Sequence, residues 1–212
     1  MKSLTTLKDN KWVWPINDEN SWKYQNEFGE LPEKLLPYIK NKNIMVQAGG
    51  NCGYLLNSFT NHFNVIYTFE PDPVNFYCLN QNISSPNVIK MQSCLGDKAN
   101  TVNTQQLIRP DRPNDTGGVH VSGEGYIPTI VLDNLNLPGC DLIQLDIEGY
   151  ELKALNGAIE TIKKYKPVLC IEFCEKWLER YNDNSEKILN LLKELNYINV
   201  DSYGVDKIFI SK

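Results

Sequence analysis

Residues 44–53 read IMVQAGGNCG, and this stretch decides the fold. An apolar run ends abruptly in small and glycine residues, and apolar residues at helical spacing follow. The pattern predicts a strand that turns into a helix through a loop with almost no side chains. Glycines in such a loop allow positive φ and let a ligand approach the main chain closely. We therefore interpret the rest of the chain outward from this turn.

Strand-like and helix-like segments alternate after residue 44, and a helix is expected directly after the turn, over 53–62. The predicted strands are 44–48, 65–69, 88–94, 126–132, 141–146, 167–173, 197–203 and 207–211. This alternation indicates a mostly parallel sheet with helices on both faces. The terminal hairpin predicts that one edge strand runs antiparallel. Most of the segment 98–125 is rich in Asn, Thr, Pro and Gly and is predicted to be a long irregular loop.

Residues 1–43 are predicted to form an N-terminal arm ahead of one α/β domain at 44–212. Trp12, Trp14, Trp22 and Tyr24 are scattered in this arm among Asn, Asp and Lys. Two interpretations stay open. The aromatic side chains could anchor the arm on the domain surface, or they could form the walls of a lid over a pocket.

Composition restricts the function classes. The 212 residues, with 42% hydrophobic and 22% charged side chains, fit one globular domain. A net charge of −5 argues against a broad nucleic-acid surface, which needs clustered Lys and Arg.

No apolar run approaches the roughly 20 residues that span a bilayer, and the N-terminus lacks an apolar signal-peptide core, so a cytoplasmic location is expected. The six cysteines lack metal-binding spacing, so buried free thiols are expected.

Polar residues follow several predicted strands, at the edge where sheets of this type bind ligands. Glu70 is the most informative of them, because it ends the second strand about twenty residues after the glycine turn, where a carboxylate accepts both hydroxyls of a ribose. The turn reads GGNCG and lacks the GxGxxG spacing of nicotinamide enzymes. A ribose-binding acid without a pyrophosphate-binding turn indicates an adenosyl ligand that has no diphosphate, and S-adenosylmethionine fits that description.

Three segments carry a family resemblance: VQAGGNCG at 46–53, TFEPDPVNF at 68–76 and IQLDIEGYE at 143–151. Together they resemble the FkbM family of S-adenosylmethionine-dependent O-methyltransferases. The resemblance implies a class I methyltransferase fold, a Rossmann-like three-layer sandwich with a seven-stranded, mostly parallel sheet and an antiparallel terminal hairpin. It also implies methyl transfer to a hydroxyl oxygen of a small molecule, sugar or glycan.

The expected cofactor site surrounds the glycine turn and the ends of the neighbouring strands. By the resemblance, its residues face the methionine part, the ribose, the adenine and the transferred methyl group. The expected set is Gln47, Gly49, Asn51, Glu70, Pro71, Asp72, Ser93, Cys94 and Asp146. Gln47 stands where many methyltransferases carry an acid, and an amide lacks a carboxylate's attraction for the positive charges of the cofactor.

The candidate catalytic residues are His120, Asp146 and Glu148, because methyl transfer to a hydroxyl needs alignment and a group that helps to remove the proton. His120 could be that base or a solvated loop residue. Glu148 could be a base or a metal ligand, or it could stabilise the N-terminus of the next helix. A further alternative is that Asp146, Glu148 and Glu172 bind Mg²⁺ through their oxygens.

Other function classes stay open from the sequence. One is a cofactor-binding module without catalysis, for which Gln47 would be the sign. Another is a nucleic-acid methyltransferase, which the acidic charge balance disfavours, as does the motif DIEG at 146–149 in place of the D/N-P-P-Y type. The acceptor pocket is expected from residues 10–30 and 105–125. The sequence leaves the acceptor and the oligomeric state open.

Overall fold

A seven-stranded sheet forms the centre of the computed structural model, which describes residues 4–16, 18, 30–107 and 115–212. Neighbouring strands are parallel except at the sixth position, whose strand is antiparallel to both neighbours. The spatial order is β5 (Val88–Met91), β4 (Val65–Phe69), β3 (Ile44–Ala48), β9 (Leu142–Leu145), β10 (Val168–Glu172), β12 (Asp206–Ser211) and β11 (Tyr197–Tyr203).

This order confirms the predicted mostly parallel sheet with a terminal hairpin. The expectation of an antiparallel edge strand is wrong, because β12 folds back into the sheet between β10 and β11. The edge strand β11 therefore runs in the same direction as β10. As a result the first residue of β12 lies at the carboxyl edge of the parallel strands, opposite the last residue of β10.

Helices pack on both faces of this sheet and bury two separate apolar clusters. They are α1 (Leu31–Leu35), α2 (Tyr54–Asn57), α3 (Pro73–Asn82), α4 (Glu151–Asn156), α5 (Ile159–Tyr165), α6 (Glu175–Leu178) and α7 (Ser185–Glu194). The α2 helix is shorter than the predicted 53–62. The hydroxyls of Ser58 and Thr60 donate to main-chain carbonyls three residues back and compete with the helical hydrogen bonds. Phe59 is nevertheless buried as predicted.

A second sheet lies beside the carboxyl edge of the first, where the sequence predicted an irregular loop. It consists of β6 (Cys94–Leu95), β8 (Val119–Ile130) and β7 (Thr101–Gln106), in that spatial order. The loop prediction is therefore wrong for the described part of 98–125, and residues 108–114 lie outside the described residues. Only a few side chains of β7 and β8 are buried, such as Val102 and Val121, so the polar composition of the segment resembled that of a loop.

The N-terminal arm contains an antiparallel hairpin of β1 (Thr5–Lys8) and β2 (Trp12–Pro15). The side chain of Asn82, at the end of α3, holds the hairpin by accepting from the main-chain N–H of Val13 and donating to its carbonyl, both at 2.8 Å. Trp14 is completely buried beside Cys52 and Cys78. These contacts attach the hairpin to the domain. Trp22 and Tyr24 lie outside the described residues, and the division at residue 43 stays a prediction.

Two expectations from composition can be compared with the structure. All six cysteines are free thiols, and five of them are buried, as predicted. Among the described ranges, none of the helices has the length and apolar character that a bilayer-spanning segment requires.

The glycine turn after β3 is fixed by a close main-chain contact. Gly49 has φ of +89°, and a Cβ built on it would lie 1.9 Å from the carbonyl oxygen of Asp146, at the end of β9. The amide groups of Gly49 and Gly50 both donate to the carbonyl of Phe69, at 3.0 Å. No side chain fits at position 49, so the turn binds the ends of β3, β4 and β9 together through backbone atoms alone.

We predict that Gly49→Ala lowers stability by more than Gly204→Ala does. Both positions have positive φ, which costs an L-residue about 1–2 kcal/mol, but a Cβ at Gly204 meets nothing within 4 Å. The difference between the two variants therefore combines the contact with Asp146 and the larger φ of residue 49, +89° against +59° at residue 204. Urea unfolding followed by circular dichroism measures it, and an equal loss in the two variants would show that the contact relaxes at no cost.

Candidate functional site

The carboxyl ends of the parallel strands border a cavity of about 310 Å³. This volume is within the range of small-molecule pockets, which begins at about 300 Å³. Across the sheet, its wall includes Glu70 after β4, Gly49 after β3, Asp146 after β9, Glu172 at the end of β10 and Asp206 at the start of β12. The cavity therefore lies at the edge of the sheet where the sequence predicted the binding residues.

Glu70 is buried in this wall, and main-chain amides hold its carboxylate. Its Oε2 accepts from the N–H of Asn51 at 2.7 Å, and its Oε1 accepts from the N–H of Asp72 at 2.8 Å. Burial raises the pKa of Glu70 to about 8, although both hydrogen bonds act in the opposite direction. Each oxygen keeps a second lone pair, so the carboxylate can still accept two hydroxyl hydrogen bonds.

Seven of the nine expected cofactor-binding residues line the cavity, and two do not. The seven are Gly49, Asn51, Glu70, Pro71, Ser93, Cys94 and Asp146. Gln47 lies inside β3 with no exposed surface, and its Oε1 accepts from the hydroxyl of Thr68 at 2.9 Å. Asp72 caps α3, because its Oδ1 accepts from the N–H groups of Val74 and Asn75. Gln47 and Asp72 were expected to contact the cofactor, but neither side chain lines the cavity.

Ser93 lies between β5 and β6, Cys94 begins β6, and both line the cavity on the side next to Glu70. Ser93 is buried, and its Oγ has no hydrogen-bond partner among the described residues. Burial raises the pKa of the Cys94 thiol to about 12, which keeps it protonated. A buried hydroxyl without a partner on a cavity wall can bond to a polar ligand atom.

The loop after β9 carries Asp146 and Glu148 and is held from outside the cavity. The Glu151 carboxylate, in the first turn of α4, accepts from the N–H groups of Ile147 and Gly149 at 3.1 and 3.2 Å. Arg180 donates to the carbonyl of Glu148 at 2.9 Å. Glu148 itself has φ of +57°, an uncommon conformation for a residue with a side chain. Glu151, to which the sequence analysis gave no role, thus positions both candidate catalytic carboxylates.

His120 lies at the start of β8 and lines the cavity with only 8% of its surface exposed. The alternative of a solvated loop residue is therefore wrong. Its Nδ1 lies 3.4 Å from the carbonyl oxygen of Gly118. Burial lowers the pKa of His120, and the positive charge of Arg180 lowers it further. The imidazole is consequently neutral at pH 7 and can accept a hydrogen bond or a proton.

The N-terminal arm reaches the cavity wall through Asp18. The buried Asp18 carboxylate accepts from the indole N–H of Trp14 at 3.2 Å, and from both the main-chain N–H and the hydroxyl of Thr116. Thr116 and Gly117 line the cavity, and Asn75 donates to the carbonyl of Thr116. The arm thus supports a wall of the cavity, and described residues of 105–125 line it. The prediction that 10–30 and 105–125 build the acceptor pocket stays a prediction.

Four further carboxyl groups line the cavity on the other side of the glycine turn from Glu70. They are Asp146 and Glu148 after β9, Glu172 at the end of β10 and Asp206 at the start of β12. Within the described ranges, no three His, Cys, Asp or Glu side chains are arranged to hold a metal ion, so the Mg²⁺ alternative gains no support. Glu172 was expected among the polar residues at the strand ends and as a possible metal ligand, whereas Asp206 was not expected at this site. An acid directly after a Gly-Val turn in the last hairpin was the available signal.

A family model described as Methyltransferase FkbM domain matches residues 47–198 of the chain. The hexuronic acid methyltransferase AglP of Haloferax volcanii is 25% identical over 159 residues, which cover 71% of this chain and 65% of that protein. The chain thus spans just under two thirds of the length of this relative.

Solved structures show the same fold. The methyltransferase FkbM of Methylobacillus flagellatus KT superimposes with a TM-score of 0.51 at 18% identity, over 80% of this chain and 43% of that one. SMU.1697c of Streptococcus mutans, solved in complex with SAH, gives a TM-score of 0.52 at 11% identity, over 85% and 94% of the two chains. The fold is the class I methyltransferase fold that the sequence resemblance implied.

We predict that thermal stability falls as the pH rises from about 5 to about 9. The folded protein raises the pKa of Glu70 from 4.5 to about 8, and those of Asp146 and Glu151 to about 6 and 7. A raised pKa means that the folded state holds protons that the unfolded chain loses, so its contribution to stability disappears as the pH rises through the folded value.

Calorimetric Tm values across this pH range measure the effect. Glu70→Gln should flatten the decline near pH 8, whereas the matched change Glu33→Gln, at an exposed site on α1, should keep the decline of the unmodified protein. A decline of the same steepness in Glu70→Gln would contradict the raised pKa of Glu70.

Proposed function

Because the chain belongs to the FkbM methyltransferase family, we propose that it is an S-adenosylmethionine-dependent O-methyltransferase whose acceptor is a hydroxyl group of a sugar, glycan or other small molecule. The observation that carries the proposal is the buried Glu70 carboxylate, which two main-chain amides hold at the cavity wall. A carboxylate in this position on a Rossmann-like sheet suits the two hydroxyls of a ribose.

The lining residues fit the cofactor part by part. Glu70 is proposed to bind the ribose, Gly49 and Asn51 to face the methionine part, and Ser93 and Cys94 to lie by the adenine. Bound S-adenosylmethionine supplies an electrophilic methyl group on a positively charged sulfur. Asp146 carries negative charge on the same wall, which favours binding of a cation. Gln47, inside β3, is proposed to support the turn from behind through Thr68.

His120, Asp146 and Glu148 are the proposed catalytic residues. The neutral imidazole of His120 can accept a hydrogen bond from the acceptor hydroxyl and orient its oxygen toward the methyl group. Asp146 and Glu148 stabilise the positive charge that surrounds the methyl group before transfer. Glu151 and Arg180 act through the loop that carries these two acids and are proposed positioning residues.

The charge of the cavity wall favours an uncharged acceptor. Its described residues include six carboxyl groups, one imidazole and no Lys or Arg; the acids are Glu70, Asp115, Asp146, Glu148, Glu172 and Asp206. An acceptor that carries a negative charge would be repelled by the carboxylates of this wall. The name of the Haloferax volcanii relative describes a sugar acid as its substrate, which supports the sugar class for this chain. The wall composition supports methylation at a neutral hydroxyl.

Titration calorimetry with S-adenosylmethionine and S-adenosylhomocysteine tests the cofactor assignment. We expect both to bind, and we expect Glu70→Ala to raise the Kd by at least about 100-fold, because two hydrogen bonds to a charged group are lost. The exposed variant Glu33→Ala should bind like the unmodified protein. Failure of both ligands to bind at millimolar concentration would refute the proposal.

Incubation of a cell extract with the protein and labelled cofactor then identifies the acceptor. Mass spectrometry should find a labelled product that is heavier than its precursor by one methylene. Cofactor binding without any labelled product would favour a binding module without catalysis, and label in nucleic acid would favour the nucleic-acid methyltransferase.

We predict that His120→Ala slows methyl transfer more than it weakens cofactor binding. Loss of an orienting group lowers kcat by up to about 100-fold, while the proposed cofactor contacts stay intact. His62→Ala is the control, since His62 is exposed and lies away from the cavity wall. Rates with the identified acceptor and calorimetric Kd values give both quantities. An unaffected rate in His120→Ala would remove its catalytic role.

A further inference from the structure

Glu172 and Asp206 form a carboxyl pair on the wall of the cavity. They are directly opposite in the antiparallel register of β10 and β12, which places their Cβ atoms about 4.5–5.5 Å apart. Both line the cavity. Asp206 is only 4% exposed, and no described side chain or amide donates a hydrogen bond to its carboxylate. Oε2 of Glu172 is also buried without a hydrogen-bond partner.

Three further carboxyl groups and two cations surround this pair. Burial is the main cause that raises the pKa of Glu172, and the charges of Asp146, Glu148 and Glu151 raise it further. Burial also raises the pKa of Asp206, to about 8. The titratable and charged groups on the packed elements are Asp146 and Glu148 after β9, Cys170 on β10, Glu151 on α4, Cys174 before α6, Lys207 on β12, Arg180 after α6 and His120 on β8.

Within the described part of the chain, no ion pair joins a Lys or Arg side chain to Glu172 or Asp206. The Nζ of Lys207 lies 4.4 Å from the centre of the Phe173 ring, and Arg180 donates to the carbonyl of Glu148. Two carboxylates directly opposite on neighbouring strands repel each other. Protonation of one carboxylate therefore removes the repulsion within the pair. A positive ligand in the cavity would favour release of that proton, because its charge stabilises the ionised carboxylate.

The pair lies at the opposite end of the cavity from Glu70. Neighbouring strands are about 4.8 Å apart, and Glu70 follows β4, whereas Glu172 ends the third strand beyond it and Asp206 begins the fourth. The separation along the sheet edge is therefore about 14–19 Å. With the ribose at Glu70, the pair belongs to the side of the acceptor.

We propose that the Glu172–Asp206 pair is the proton acceptor for the hydroxyl group that is methylated. This role rests on the proposed function. The O–H bond of the acceptor breaks and its proton passes to a carboxylate oxygen of the pair. The electron pair left on the acceptor oxygen forms the bond to the methyl carbon, while the bond from carbon to sulfur breaks and leaves its electrons on sulfur.

This step leaves the net charge of the cavity unchanged, because one positive charge disappears at sulfur while one negative charge disappears at the pair. Before methyl transfer, the positive charge on sulfur favours the ionised form of the pair. After transfer the sulfur is neutral, so the protonated form of the pair is favoured again. His120 is less suited to keep the proton, since an imidazolium would form in a buried position near Arg180. His120 then orients the hydroxyl and the pair takes its proton.

The test compares two ligands that share a ribose but differ in charge at sulfur. Calorimetric titrations at pH 7.5 in two buffers of different ionisation enthalpy count the protons released on binding. Protons released from Glu70 are common to both ligands and cancel in the difference. We expect S-adenosylmethionine to release up to about one proton more than S-adenosylhomocysteine does. Its positive sulfur beside the protonated carboxyl pair favours loss of a proton from the pair.

Glu172→Gln and Asp206→Asn should each reduce this difference by at least half, because an amide cannot release a proton. Both changes preserve shape and remove repulsion, and circular dichroism checks that they fold. Glu179→Gln, at an exposed site, should keep the difference. Equal proton release by the two ligands, or a difference that persists in both amide variants, overturns the role of the pair. If neither ligand binds, the proposed function is overturned, and the role of the pair with it.

Discussion

The contact between Gly49 and the carbonyl oxygen of Asp146 is the constraint on which the site depends. A Cβ at residue 49 would lie 1.9 Å from that oxygen, so the ends of β3 and β9 can approach only through a glycine. The same turn sends two amides to the carbonyl of Phe69 and a third to the carboxylate of Glu70. Backbone contacts thus join three strand ends, and the side chains on the cavity wall inherit a fixed geometry.

This fixed geometry has an electrostatic consequence. Acids from β4, β9 and β12 are brought to one edge of the sheet, where burial raises the pKa values of Glu70, Asp146 and Asp206. Preorganised carboxylates of this kind favour a cation without needing to move, and the cost of assembling them is borne by the fold. The acids of the site therefore form one system, in which the charge of a ligand and the protons on the wall exchange for each other.

The sequence predicted the parts of this arrangement that follow from local pattern. The strand that ends in the glycine turn and the alternation of elements have short-range signals, and the sheet confirms them. Glu70 has a short-range signal too, and the structure places it after β4 on the cavity wall. Predictions that depended on pairing were less successful. The segment with β7 and β8 reads as a loop because its strands bury few side chains. Asp206 could not be placed beside Glu172, since the insertion of β12 between β10 and β11 is a property of the whole sheet.

The two sides of the cavity differ in how much the fold requires them. The central strands and their main-chain contacts form the side with Glu70, and changes there disturb the sheet itself. The other side is built from β8, from the turn that contains Thr116, and from the N-terminal arm, which reaches that turn through Asp18. These segments lie outside the seven-stranded sheet and can vary without disrupting its ladders. This outer wall meets α3 through Asn75, which donates to the carbonyl of Thr116. Changes in the wall therefore leave the Glu172–Asp206 pair, which the sheet itself holds, in place.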